Sequence, residues 1–175
     1  MRAFLALPDS FRVVIRVVCL FGAAAMLWVG AATGATITRD ATTKSYALTL
    51  DVGPLEAMYT PAQVKAKHLT SGEVMMGGPM GSSMSMGAGN RHLEIHIRSR
   101  ATGKVVTNVV PTIGLHDKTA SSMTMFVKVP AIAMEGVGAG TADFHYGNNV
   151  KLIAGQVYEV EVTVNKEGGL FTFRA

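Results

Sequence analysis

Residues 157–174 read VYEVEVTVNKEGGLFTFR, the clearest periodicity in the chain. Tyr158, Val160, Val162 and Val164 alternate with Glu159, Glu161 and Thr163, the period of two that turns one face of a strand to a core and the other to solvent. Lys166-Glu-Gly-Gly169 reads as a tight turn, and Leu170 to Arg174 as the returning strand carrying Phe171 and Phe173. Working outward, Tyr46, Leu48, Leu50 and Val52 repeat the pattern, as do Leu93, Ile95 and Ile97 within Arg91 to Arg98. Shorter strand candidates are Val105 to Val110, after a turn at Ala101 to Lys104, then Ser122 to Val129 and Asn149 to Ile153. One short helix is expected from Pro61 to His68, because Thr60-Pro-Ala-Gln63 has the form of a capping box with proline in the first turn, and Gly72 is placed to close it. About seven short strands with turns between them predict an all-β fold, an immunoglobulin-like β-sandwich. No cysteine pair is available to staple it, so the label describes architecture alone.

The chain has 175 residues, enough for one ordinary domain and a targeting segment. Arg2, Arg12 and Arg16 precede an uncharged, apolar run from Val17 to Ala35 that ends in small residues, the layout of a secretory signal peptide. An uncleaved single-span anchor is the other reading, since the run just reaches the length needed to cross a bilayer. The sequence thus divides into a signal or anchor at 1–35, a polar linker at 36–43 and a β-sandwich at 44–175, placed in the periplasm or outside the cytoplasm. The only cysteine, Cys19, lies in the signal run, so the exported part has neither a disulfide nor a thiolate ligand. The charge of +4 falls to +2 without Arg2, Arg12, Arg16 and Asp9, and no basic stripe is interleaved with aromatics, which argues against nucleic-acid binding.

Residues 75–97 contain five methionines, Met75, Met76, Met80, Met84 and Met86, among glycine, serine and proline, and lead into a strand bearing His92, Glu94 and His96 on one face. Glycine and serine give these methionines no apolar period, so another reason for the sulfurs is needed. A thioether is soft and uncharged and selects copper, Cu(I) above all, over hard cations. Met84 and Met86 are the nearest to His92. Residues two apart on a strand stand roughly 7 Å from each other, so His92 and His96 need another element to complete a site. The His-Leu-Glu-Ile-His spacing does not fit a zincin helix, and a zinc deaminase would need cysteines that the exported part lacks. A further candidate is His145, flanked by Phe144 and Tyr146 and read as lying in a turn that enters a strand. A surface face for His96, and a packing or oxidant-sink role for the methionines, remain the plainer readings.

The His92-Leu-Glu94 strand, the methionine-rich approach to it and the run His145-Tyr-Gly-Asn-Asn-Val-Lys151 together resemble the small periplasmic iron-transport proteins, also described as copper- and iron-binding. The resemblance implies an immunoglobulin-like sandwich, a homodimer, and a copper site of Met and His working beside a membrane iron permease. Carried onto this chain, it assigns the metal to His92, His145 and either Met86 or Met84, with Glu56 or Met58 as a fourth contact and His96 nearby. Met84 and Met86 bracket the position at which the family carries its methionine. The histidine that the family pairs with its glutamate near the first strand has no counterpart here. The function expected is capture or delivery of copper, Cu(I) or Cu(II), or of Fe(II), without catalysis. The alternative is a structural or interaction module of the cell envelope with the Met-rich loop as its contact surface.

Overall fold

Alternating side chains bury on one side of each long strand and meet those of a second sheet, which makes the fold a β-sandwich. The computed structural model describes residues 35–77, 89–119 and 126–175. The strands are β1 (Ile37–Thr42), β2 (Tyr46–Pro54), β3 (Met58–Tyr59), β4 (Glu73–Gly77), β5 (Arg91–Ser99), β6 (Thr112–Asp117), β7 (Phe126–Val129), β8 (Ile132–Gly136), β9 (His145–Val150), β10 (Val157–Val164) and β11 (Glu167–Arg174). A helix, α1 (Pro61–Lys67), and a 3-10 turn at Gly140–Asp143 complete the elements. The larger sheet has the order β1-β2-β5-β9-β8-β4-β3 and the smaller β11-β10-β6-β7. Among the described strands only β3 and β4 pair in parallel.

The core lies between the sheets. Leu48, Leu50 and Val52 of β2 and Leu93, Ile95 and Ile97 of β5 meet Ile113 of β6, Val160, Val162 and Val164 of β10, and Phe171 and Phe173 of β11. Each such side chain, fully removed from water, contributes about 1.5–3 kcal/mol before the entropy of ordering the chain is set against it.

The β10–β11 hairpin pairs as expected, but its turn is Asn165-Lys166, both at positive φ, with Val164 opposite Glu167. This is the geometry of a two-residue hairpin turn that follows the strand twist. The two glycines therefore belong to β11. A Cβ on Gly169 would come within 2.7 Å of Leu48 Cδ1, so glycine there allows β11 to pack on β2. Glu167 reaches across to the β1–β2 turn, accepting from the Thr43 hydroxyl at 2.6 Å, the Ser45 hydroxyl at 2.7 Å and the Ser45 amide at 2.8 Å. Those hydrogen bonds hold its carboxyl down at about 2.

Helix α1 has the expected capping box, with Thr60 and Gln63 satisfying each other's backbone amides. It ends at His68 in the left-handed conformation and not at Gly72. Eleven strands replace the seven expected, among the described residues. Residues 37–42, read as a linker, form β1. This edge strand needs only Ile37 and Ala41 on the core, and its other side chains stay in solvent. Val105–Val110 is not a strand: Val105 makes one bridge to Arg98, and the chain then crosses to the smaller sheet. Among the described residues no helix is long and apolar enough to cross a membrane. The signal or anchor segment lies outside the described residues, as do Met80, Met84 and Met86.

Candidate metal centre

With Leu93, Ile95 and Ile97 turned into the core, His92, Glu94 and His96 stand on the outer face of the larger sheet. β5 is an interior strand, between β2 and β9, and not a sheet edge. On β9 the same face carries His145, Gly147 and Asn149, with Asn149 opposite His92 and Gly147 opposite Glu94. His145 is the first residue of β9 and not part of the preceding turn, so a strand fixes its backbone. This register brings together residues about fifty positions apart. The rings of His92 and His145 lie 5.8 Å apart, and those of His96 and His145 5.4 Å.

Gly147 explains how the strands come so close. A Cβ there would lie 1.9 Å from the Leu93 carbonyl oxygen, so any other residue would push β9 away from β5 beside Glu94. The glycine of the His-Tyr-Gly run thus serves the approach of two backbones.

Hydrogen bonds fix the tautomer of both buried imidazoles. His145 Nδ1 lies 2.8 Å from the Asp143 carbonyl, which can only accept, so Nδ1 carries the proton and Nε2 the lone pair. His92 Nδ1 lies 2.8 Å from Asn149 Oδ1, and the Asn149 amide nitrogen donates to the Glu56 carbonyl at 2.9 Å, which orients the amide. His92 Nδ1 is therefore the donor as well. Both histidines are fully buried, and among the described residues both Nε2 atoms lack a hydrogen-bond partner. An imidazole held by a proton on one nitrogen, with the other nitrogen bare, is the arrangement typical of metal-ligating histidines. Leaving two such atoms buried with nothing to bind costs free energy.

Carboxylates converge on the same face. One ligand atom each from His92, Glu94 and His145 lies within 4.8 Å of the others, and the same holds for His96, Asp143 and His145 and for Asp51, Glu94 and His96. His96 Nε2 is 3.3 Å from Glu94 Oε2 and 3.6 Å from Asp51 Oδ2. Glu73 of β4 brings a buried carboxylate whose Oε2 lies 3.5 Å from His145 Nε2, too long for a hydrogen bond.

The charge states favour ligation. Burial above all, then the charges of Glu94, Asp143 and Glu56, pushes Glu73 up to about 7. Burial also lowers His145, outweighing the Asp143 carbonyl, so its imidazole is neutral near pH 7. For Glu94 burial acts upward, but the His96 hydrogen bond and the three imidazoles bring it down on balance. His96 is raised because Glu94 and Asp51 outweigh its burial. His145 thus offers a neutral imidazole and Glu94 an ionised carboxylate, the donors of borderline and hard divalent ions.

Of the residues expected from sequence, the structure brings together His92, His145 and His96. Met58 packs instead with Ile132, Met134 and Met75 in a separate apolar cluster. Glu56 lends its carbonyl to Asn149, and its carboxylate acts on Glu73. Met84 and Met86 lie outside the described residues. Glu94, Glu73, Asp51 and Asp143 were absent from that ligand set. Glu94 was in plain view between two histidines. Glu73 enters only through the pairing of β4 with β8 and of β8 with β9, which no sequence pattern announced. No family model matches the chain, and no curated protein matches it either.

Proposed function

We propose that this is an exported metal-binding protein that captures or delivers copper, or else Fe(II), for envelope metal homeostasis. His92 and His145 hold the ion through Nε2, Glu94 adds a carboxylate, and Glu73 lies beside His145. The observation that carries this reading is the pair of buried, partnerless Nε2 atoms whose Nδ1 protons are committed elsewhere. The thioether that favours copper comes from Met84 or Met86, on the sequence resemblance, with Glu56 as a further carboxylate. Without it the described donors suit Fe(II) as well, which keeps iron as the second cargo. The chain acts as a carrier, not an enzyme, handing its ion to a membrane iron or metal permease from the periplasm, as a homodimer in line with the resemblance.

Equilibrium dialysis of the purified chain against copper tests this. A tightly held first equivalent is expected, its affinity greatly weakened when His92→Ala and His145→Ala are combined. A first equivalent held as tightly after the double substitution would sink the assignment.

A further inference from the structure

A single ion at His92, Glu94 and His145 leaves much of the same face unexplained. Asp51 of β2 lies directly opposite Glu94 of β5 in the register, inside the larger sheet. Two carboxylates facing each other across a strand pair repel, and such a pair is destabilising unless a cation is shared between them. The group between them is His96, with Nε2 3.3 Å from Glu94 and 3.6 Å from Asp51. One ligand atom from each of Asp51, Glu94 and His96 lies within 4.8 Å of the other two. Unlike His92 and His145, these side chains keep 16–22 % of their surface exposed, which leaves an ion a way in from solvent.

Glu94 belongs to both groups of converging donors, the one with His92 and His145 and the one with Asp51 and His96, so it stands between two sets of donors.

We propose that the face holds two divalent ions, the second bound by Asp51, His96 and Glu94, with the Glu94 carboxylate bridging them. The inference rests on the first centre proposed above and adds a harder, more open one beside it. One imidazole with two carboxylates suits Zn(II), Mn(II) or Fe(II) better than Cu(I). The outer ion is then the one that exchanges with solvent, and the inner is the one retained.

The test uses Zn(II) on the purified full chain, counted by equilibrium dialysis. The parent should bind two ions, Asp51→Asn with His96→Gln one, and His92→Ala with His145→Ala one. The milder Asp51→Asn alone should weaken only the second ion, by about 10-fold or more. It keeps side-chain size and so guards against a fold that fails in the double variant. A parent that binds one ion, or two ions that Asp51→Asn and the Asp51/His96 pair leave untouched, would overturn the second centre. Failure of the first centre looks different: two ions would remain after His92 and His145 are replaced.

Discussion

Asn149 is not one of the metal donors, yet it sets which nitrogen of His92 is bare. Its amide is held by the Glu56 carbonyl, so its oxygen faces His92 Nδ1. Asn149→Ala frees the imidazole to change tautomer and rotate, and metal affinity should fall about 10–100-fold with little change in fold. Competition against a chelator of known affinity measures this, and an unchanged affinity would remove Asn149 from the site. Glu73 makes a different prediction. Its folded value of about 7 lies above the ordinary 4.5, so its stabilising share is whole below about pH 4.5 and is lost as pH rises through about 7. His145, lowered by burial, works in the opposite sense: its share is present above its ordinary value of 6.5 and is lost as pH falls. Comparing the metal-free parent with Glu73→Gln isolates the carboxyl. The variant should gain on the parent between pH 5 and 8, by up to about 3 kcal/mol. Melting curves at several pH values check it, and a flat difference would mean that Glu73 is not held in a charge-averse setting.

At the scale of elements, the site is made by the meeting of β5 and β9, and Gly147 is what allows it. Gly147→Ala puts a methyl group 1.9 Å from the Leu93 carbonyl, so it should cost about 2–4 kcal/mol and pull Glu94 away from His145. Metal affinity and melting temperature should therefore fall together, and an alanine variant normal in both would contradict the close approach. β5, β10 and β11 were legible in the sequence because their apolar residues alternate and each buries one face on the core. The capping box of α1 was legible for a local reason, as its two hydrogen bonds span three residues. β1, β4 and β8 were not, because they are short and carry threonine, arginine, methionine or glycine where alternation would show. The same limit governs the site. His92, Glu94 and His96 could be placed on one face from sequence, whereas the reach of Glu73 to His145 depends on two successive strand pairings.

In the molecule as a whole, the two faces of the larger sheet do separate work: the inner face holds the fold and the outer face holds the candidate centre. Replacing His92 and His145 should then leave the metal-free sandwich folded while weakening its response to metal. For the parent, free metal at 100 times its dissociation constant should add about 2.7 kcal/mol, a rise of roughly 5–10 °C in melting temperature. The double variant should show a clearly smaller rise, and an equal rise in both would place the metal elsewhere. The most direct test reads the ligands themselves. Electron paramagnetic resonance of the purified chain with one equivalent of Cu(II) should show nitrogen coupling from two imidazoles, reduced to one by His92→Ala or by His145→Ala alone. A spectrum with no imidazole coupling, or one that neither substitution alters, would contradict the claim that these two buried histidines hold the ion.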